Sequence, residues 1–357
     1  MKLHPSAGSD GSFDIRASHS QPAEWERHEA VWLAWPSDDA LWLDNLKPAQ
    51  DEFVEFCRAI ADLDPRSAVA RGERLHILIP NEVARSEAAR RLAGLPIKFF
   101  EIPYGDIWLR DTAPVFLKSS AGVQMAATFA FNGWGGKYIL LHDREVAART
   151  ALASGLKTLS NEFVLEGGSV EVDGEGTCLT SKQCLLNENR NPGMSQADLE
   201  QHLSDSLGIK KVLWFGDGLL NDHTDGHIDT IARFVAPGEI ALMRAQAKLD
   251  PNYAILEKLI LEAEGMVDAK GRKLKVHLVP SPGTVQDADG RIMPASYLNF
   301  YISNTSVIVP TYGVAYDSMA VSAIAKCFPD HKTVGLSARA ILSGGGAFHC
   351  ISQQLPA

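Results

Sequence analysis

Apolar and polar positions along the chain alternate between helix-like and strand-like periods. Phe53, Phe56, Cys57 and Ile60 recur at the spacing of one helical face, which predicts an amphipathic helix between Pro48 and Pro65. Ser195 with Asp198 three residues later predicts a capping box at the start of another helix. Further helical patterns cover 81–93, 143–153, 195–207, 252–264 and 317–327. Strand-like runs cover 75–79, 97–102, 124–131, 162–165, 211–215, 227–235, 240–244, 273–279, 296–302, 306–309 and 332–336.

The order of these elements predicts the fold class. A helix followed by a strand occurs five times, with the closing strands centred near Phe99, Phe163, Val212, His277 and Val334. One or more strands precede each closing strand, so the chain reads as five related strand-strand-helix-strand units. No G-x-G-x-x-G motif follows a strand, which disfavours a dinucleotide-binding fold. We therefore expect a single closed ring of mixed α/β units.

Composition and charge narrow the classes of partner. The chain has 357 residues, with 34 Lys+Arg against 44 Asp+Glu and a formal charge of −10. Such an acidic surface disfavours nucleic acid and anionic membrane. It modestly favours a small cationic ligand, although solubility is the more common role of an acidic surface. We predict a flexible segment over residues 1–22 and one catalytic domain over residues 23–357. Without an apolar run of about 20 residues, the protein is expected to be cytoplasmic, and a homo-oligomer is compatible with the sequence.

Five scattered cysteines provide candidate nucleophiles. They contain no CxxC pair, which disfavours a disulfide framework and a zinc knuckle. Cys350 follows three glycines and His349, so a ligand can approach the backbone closely and the neighbouring histidine can favour the thiolate. A loop cysteine buried for packing alone is the alternative interpretation.

A second group of candidates lies around His227. If 227–235 is a strand, His227 and Asp229 point to the same face, an arrangement suited to general acid/base work. The same run, Asp225-x-His227-x-Asp229, matches a ligand pattern of binuclear metal hydrolases. A second aspartate-rich cluster of the form D-x-D-x-x-D is missing from the sequence, so we predict no metal.

Two further acids have apolar neighbours and no basic residue close in sequence. Asp106 and Glu166 are therefore expected to be partly buried, where a carboxylate needs a cation or several donors to stay ionised. A guanidinium ligand would supply that cation. Arg110 and Asp111, in contrast, are interpreted as an internal ion pair.

Several motifs, in order along the chain, together resemble the agmatine deiminase family, which also contains the bacterial-type peptidylarginine deiminases. The resemblance runs from about Glu24 to the C-terminus and implies the five-bladed α/β propeller (pentein) of guanidine-modifying enzymes. The motifs are Glu24–Ala30, Trp32–Pro36, Asp106–Asp111, Phe131–Lys137, Leu165–Ser169, Leu185–Pro192, Gly226–Asp229, Ala295–Tyr301 and Gly344–Cys350.

The resemblance also implies roles for individual residues. Cys350 is similar to the family's nucleophile and His227 to its general acid/base, with Glu166 orienting that histidine. Asp106 and Asp229 are similar to the paired carboxylates that hold the guanidinium, and Trp134 falls in a substrate-binding motif. The implied reaction uses no metal or organic cofactor and passes through an amidino-cysteine intermediate to a urea product and ammonia.

Departures from the family pattern leave the far end of the substrate open among an amine, a carboxylate and a peptide. Ser37–Trp42, Asn221–Asp225 and Ala347-Phe348 all differ from the expected motifs. Agmatine is preferred because Asp38, Asp39 or Asp222 would suit an ammonium group. Deimination of free or peptidyl arginine, a metal-dependent amidinohydrolase and a non-enzymatic binding protein are the alternatives.

Overall fold

The chain folds into a mixed α/β structure whose strands form five separate sheets. The computed structural model describes residues 19–357, so most of the segment predicted to be flexible lies outside the described residues. The strands are β1 His19–Ser20, β2 His28–Ala34, β3 Arg74–Ile79, β4 Ile97–Glu101, β5 Val115–Ser119, β6 Gln124–Ala130, β7 Lys157–Val164, β8 Glu171–Val172, β9 Thr177–Ser181, β10 Lys211–Phe215, β11 Ala232–Ala236, β12 Glu239–Arg244, β13 Lys275–Pro280, β14 Tyr301–Ile302, β15 Ser306–Thr311, β16 Lys332–Ser337 and β17 Gln353–Pro356.

The helices lie between these strands, and none in the described part of the chain has both the length and the apolarity needed to span a bilayer. They are α1 Asp39–Trp42, α2 Leu46–Ala61, α3 Glu82–Arg91, α4 Leu109–Thr112, α5 Gly133–Gly136, α6 Asp143–Ser154, α7 Lys182–Leu185, α8 Gln196–Leu207, α9 Tyr253–Ala263, α10 Asp317–Ala325 and α11 Arg339–Leu342. Helix α2 buries the predicted face of Phe53, Phe56, Cys57 and Ile60. Helix α8 begins with the predicted capping box of Ser195 and Asp198.

One supersecondary unit recurs in four of the five sheets. In the third sheet, β11 and β12 form an antiparallel pair, α9 crosses over, and β13 returns parallel to β12. The sequences β8–β9–α8–β10, β14–β15–α10–β16 and β5–β6–α6–β7 repeat this order. A parallel return needs a crossover connection, which the helix provides. The repeated helix-then-strand order read from the sequence is therefore present in the structure.

The remaining sheet joins the two ends of the described chain. Strand β17 pairs antiparallel with β2, with Gln353 opposite Trp32, and β3 and β4 continue the sheet in parallel. Strand β2 was not among the strand-like runs, and β17 was not either. Their pairing anchors the segment that carries Cys350 against the first long strand of the chain.

Two of the predicted strands begin later in the structure than the sequence pattern indicated. The run 227–235 starts with a 3-10 turn over Ile228–Thr230, and β11 begins only at Ala232. His227 and Asp229 therefore do not share a strand face. Likewise, of the run 296–302 only Tyr301–Ile302 is a strand, and the preceding residues form a turn. In both places apolar side chains are buried for tertiary packing, which a strand pattern cannot distinguish from a buried turn.

Candidate active site

A cavity of about 350 Å³ opens where the turns after β4, β6 and β10 meet the segment before β17. This volume lies at the lower end of the usual range of roughly 300–1,000 Å³ for small-molecule sites. Asp106, Asp111, Trp134 and Cys350 all line it. The turns thus bring together, at one point, residues that are far apart in sequence.

Cys350 lies at the wall of the cavity and is held by Asn299. The Asn299 side-chain amide donates to Cys350 Sγ at 3.1 Å. Its carbonyl oxygen accepts from the backbone N–H groups of Ala347, His349 and Cys350 at 3.1 to 3.2 Å. Asn299 thereby fixes the turn that presents the thiol. The sequence analysis gave this residue no role, although it stands within the motif Ala295–Tyr301.

The Cys350 thiol lies beside a carboxylate that has a free oxygen. Cys350 Sγ is 3.5 Å from Asp229 Oδ2, while Asp229 Oδ1 is buried and has no hydrogen-bond partner among the described residues. Burial, followed by the charges of Asp229 and Asp111, raises the pKa of Cys350 well above its usual value. The site therefore favours the thiol until a positive charge enters between these groups.

Asp229 is kept ionised by a buried network behind the cavity. Burial alone would raise its pKa, but the hydrogen bond and charge of His349, together with the charges of His227 and Arg233, outweigh burial and lower it. His349 Nδ1 is 2.7 Å from Asp229 Oδ2, and its Nε2 is 2.8 Å from Glu24 Oε2. Arg233 then contacts Glu24 at 3.0 Å. The His349 ring thus bridges Glu24 and Asp229 and helps to keep Asp229 ionised. The sequence analysis expected His349 to favour the Cys350 thiolate directly, whereas its ring nitrogens contact these two carboxylates instead.

His227 is a second titratable group of the site, and it lies between Glu166 and Asp111. Its Nε2 lies 3.2 Å from Glu166 Oε2, and its Nδ1 lies 3.8 Å from Asp111 Oδ1. Burial would lower the pKa of His227, but the Asp111 charge and the hydrogen bonds of Cys184 and Glu166 raise it well above the usual value. Its Nδ1 has no hydrogen-bond partner among residues 19–357. His227 is therefore set to hold a proton that it can donate.

Glu166 has a cationic partner that the sequence did not reveal. Arg190 Nε donates to Glu166 Oε1 at 2.8 Å and to Oε2 at 3.1 Å. Burial raises the pKa of Glu166, but His227 and Arg190 together bring it below the usual value. Arg190 comes 24 residues later, so no local pattern links the two. Its presence in the motif Leu185–Pro192 was the one available signal.

Asp111 is the main site residue that the sequence analysis missed. Its Oδ1 accepts from the Gly168 backbone N–H at 2.9 Å, and its Oδ2 accepts from Trp134 Nε1 at 2.8 Å. Burial is the largest cause of its raised pKa. Asp111 thus places a carboxylate at the cavity wall that also faces His227.

The ion pair expected between Arg110 and Asp111 is wrong. Arg110 Nη1 instead donates to Gln353 at 2.9 Å and to Gln354 at 2.8 Å, and its Nη2 lies 3.5 Å from Glu24. Consecutive side chains leave the short helix α4 in different directions, so neighbours in sequence need not pair. Arg110 binds the C-terminal strand, and Asp111 turns into the cavity.

Trp134 lies in the cavity wall in a strained backbone conformation. It has φ 53° and ψ 51°, in the left-handed region, and is flanked by Gly133 and Gly135, which also have positive φ. A bulky residue there costs of the order of 1–3 kcal/mol and persists only where its surroundings enforce it. The bond from its indole to Asp111 is one such restraint. Trp134 therefore positions Asp111 as well as lining the cavity.

Asp106 lines the same cavity, but its hydrogen-bond partners differ from those of Asp111 and Asp229. Its Oδ1 accepts from Trp42 Nε1 at 3.0 Å and from its neighbour's Ile107 N–H at 2.8 Å. Its Oδ2 accepts from Trp108 Nε1 at 2.7 Å. Among the described residues, none of these bonds reaches Cys350, His227, Glu166 or Asp229.

The metal-ligand pattern of Asp225, His227 and Asp229 does not form a common site. Asp225 is ion-paired with Lys137 and Arg190, each at 2.5 Å, and Asp229 faces His349. Another trio, Glu166, Cys184 and His227, has one potential ligand atom each within 4.8 Å of the others. The Arg190 guanidinium already neutralises Glu166, so a second cation there would meet its repulsion.

Comparisons with known proteins agree over nearly the whole chain. Residues 20–356 match the model of the Porphyromonas-type peptidyl-arginine deiminase family. The agmatine deiminase of Pseudomonas aeruginosa (strain LESB58) is 37% identical, covering 94% of this chain and 95% of its own. A solved agmatine deiminase of Enterococcus faecalis is 35% identical with a TM-score of 0.88, covering 97% and 98% of the two chains. A substrate-bound agmatine deiminase of C. jejuni is 28% identical with a TM-score of 0.83, covering 95% and 96%.

These matches span the cavity and every residue around it, from Glu24 to Cys350. The family model spans residues 20–356, so nearly all of the described fold lies within the comparison. The chain therefore belongs to the Porphyromonas-type peptidyl-arginine deiminase family.

Proposed function

We propose that this protein hydrolyses a guanidinium group to a urea without a cofactor, and that agmatine is its substrate, giving N-carbamoylputrescine and ammonia. The supporting observation is the placement of the Cys350 thiol against two buried carboxylates, Asp111 and Asp229, at the wall of a small cavity. Agmatine is the substrate in the names of the relatives above. The cation that this site lacks is the charge that a guanidinium carries.

The guanidinium is held by Asp111 and Asp229. Both are buried, both act on the pKa of Cys350, and Asp229 Oδ1 is free to accept a hydrogen bond. The sequence hypothesis placed Asp106 in this pair, but the contacts of Asp106 lie with Trp42 and Trp108. Asp111 takes its place because it faces both His227 and the cavity.

The reaction proceeds through two half-reactions. The bound guanidinium offsets the charges of Asp111 and Asp229, so Cys350 loses its proton to solvent and the thiolate attacks the guanidinium carbon. His227 then protonates the departing amine, and ammonia leaves an amidino group on the sulfur. In the second half, His227 takes a proton from water, whose oxygen attacks the amidino carbon. The C–S bond breaks, and the hydroxyl proton of the product passes to the departing sulfur, which leaves a neutral urea and the Cys350 thiol.

The five sheets are the blades of one closed α/β propeller with this cavity on its axis, and residues 23–357 form that single domain. Two features support this arrangement. The same strand-strand-helix-strand order recurs in four of the sheets, and β17 pairs with β2 across the two ends of the described chain. Segments that occupy equivalent places in the units supply Asp111, Glu166, His227 and Cys350.

The test is ammonia release from agmatine, arginine and a C-terminal arginyl peptide, each assayed with a chelator present. We expect turnover of agmatine, and its loss in Cys350→Ala but not in the matched control Cys327→Ala, whose thiol lies outside the cavity. Acid quenching during turnover should leave an amidino adduct on the peptide that contains Cys350. Activity abolished by chelator and restored by manganese would instead identify a metal-dependent hydrolase.

A further inference from the structure

The cavity beyond the thiol has aromatic walls and a single outlying acid. Trp42 and Trp108 stack with their ring centroids 6.1 Å apart, and Tyr138 and His223 stack with theirs 5.9 Å apart. All four side chains line the cavity. The lining residues drawn from 19–357 include no Lys or Arg. A substrate group that carries a negative charge would therefore find no cation there.

That outlying acid is Asp106, and it has no cationic partner in the described part of the chain. Its hydrogen bonds come from two indole N–H groups and one backbone N–H. These donors fix the carboxylate but are neutral, so they leave its charge uncompensated. Asp143 acts on it from nearby and adds negative potential. An acid in this setting attracts a cation from outside the protein.

The position of Asp106 relative to the nucleophile is set by one indole ring. A Cβ added to Gly346 would lie 2.8 Å from Trp108 Cζ3 and 3.0 Å from Cys350 Sγ, so the benzene edge of Trp108 is close to the thiol. The opposite, pyrrole edge of the same indole donates to Asp106. The same indole therefore contacts Asp106 at one edge and lies close to the thiol at the other.

We propose that Asp106 binds a positive charge at the far end of the substrate, so that the protein selects guanidines with a cationic tail. This inference rests on the proposed function, in which the guanidinium occupies Asp111 and Asp229. The methylene chain then lies along the Trp108 indole, and the terminal ammonium reaches Asp106. Free arginine would place its carboxylate in the same cavity, where no Lys or Arg among the described lining residues is available to pair with it.

The acids that the sequence analysis considered for this role have other positions. Asp38 caps α1 by accepting from the backbone of Ala40 and Leu41 at 2.8 and 3.1 Å, and Asp222 accepts from Thr224. Neither they nor Asp39 lines the cavity that contains Cys350. Asp38 and Asp39 instead border a neighbouring depression on the other side of Asp106.

The test compares agmatine with n-butylguanidine, which has the same guanidinium and chain but no amine, and with guanidinobutyrate, which ends in a carboxylate. For the unaltered protein, kcat/KM should be highest for agmatine and lowest for guanidinobutyrate. Asp106→Asn should lower the agmatine-to-butylguanidine ratio about tenfold or more, chiefly through the KM for agmatine, because hydrogen bonds to charged groups are worth about 1.5–3 kcal/mol. Asp38→Asn and Asp222→Asn are matched controls that should keep the ratio.

Two results would overturn the inference: an Asp106→Asn ratio equal to that of the unaltered protein, or an equal loss with both substrates, which would place Asp106 at the reaction centre. Binding to Cys350→Ala, measured by calorimetry with and without Asp106→Asn, makes the same comparison without turnover. A protein that binds both guanidines with this selectivity but forms no product would contradict the proposed reaction and leave the Asp106 site supported. Thermal melting of Asp106→Asn separates loss of the site from loss of the fold.

Discussion

Arg190 donates to both carboxylate oxygens of Glu166 through its Nε, at 2.8 and 3.1 Å. The same Glu166 Oε2 lies 3.2 Å from His227 Nε2. Arg190 therefore keeps ionised the carboxylate that orients the proposed proton donor, although it does not line the cavity itself. It is a positioning residue that acts through Glu166.

Replacing Arg190 by Gln should lower both stability and turnover. Removing one partner of a buried ion pair leaves the other charge uncompensated and costs about 3–5 kcal/mol. Without the guanidinium, the pKa of Glu166 should rise, so the acidic limb of the kcat profile should shift to higher pH. Denaturant melts and a kcat pH profile measure the two effects, with Arg149→Gln as an exposed control. A profile identical to that of the unaltered protein would show that Arg190 serves the fold alone.

Asp111→Asn should reduce turnover of every guanidinium substrate, whatever its tail. A charge removed from a desolvated clamp costs on the order of 2–5 kcal/mol, so kcat/KM should fall at least about tenfold for agmatine and for butylguanidine alike. Asp198→Asn, which alters only an exposed helix cap, is the control. Equal activity of Asp111→Asn and the unaltered protein would remove Asp111 from the clamp. The contrast with Asp106→Asn, expected to affect agmatine selectively, separates the two acids.

Cys350 should react faster with a cationic reagent than with a neutral one of the same reactivity. Burial and the charges of Asp229 and Asp111 raise the pKa of Cys350. A bound cation offsets the effect of the two carboxylate charges and so lowers this pKa again. Chloroacetamidine should therefore alkylate Cys350 at least about tenfold faster than chloroacetamide, whereas Cys327 should show no such preference. Peptide mass analysis over time measures both sites. Equal rates at Cys350 would show that the neighbouring carboxylates do not recognise an amidinium.

The preference for agmatine should weaken in acid. Burial raises the pKa of Asp106 to about 6, so the carboxylate is charged above that pH and becomes neutral as the pH falls through it. Titration of Cys350 and His227 affects both substrates, so it cancels in the ratio of kcat/KM for agmatine to that for butylguanidine. We expect this ratio to fall between about pH 7 and pH 5. A flat ratio would mean that an uncharged Asp106 serves equally well.

Local patterns in the sequence were sufficient for some parts of the fold and not for others. The amphipathic face of α2 and the capping box of α8 depend on residues within a few positions of one another, and both were predicted. The partners of Glu166 and Asp111 depend on side chains brought together from distant turns. No spacing rule could therefore replace the assumed Arg110–Asp111 pair by the observed contacts of Asp111 with Trp134 and His227.

The same distinction applies to the nucleophile. The glycine run and neighbouring histidine marked Cys350 in the sequence, but its support by Asn299 needed the turn before β14, which the apolar pattern of 296–302 presented as a strand. Apolar periodicity indicates only that residues are buried, and the buried residues before Tyr301 form a turn. Candidate chemistry was therefore easier to identify than the polar groups that hold it in place.

The pairing of β17 with β2 has a consequence for how the protein is made. Strand β2 emerges early from the ribosome, and β17, with Cys350 just before it, emerges late. Contacts of such large sequence separation form slowly, because the intervening chain must first be ordered. Until that pairing closes, Cys350 has neither Asn299 nor the carboxylates at its side. A partly folded molecule therefore carries an ordinary thiol, and the capacity to react appears only together with the finished fold.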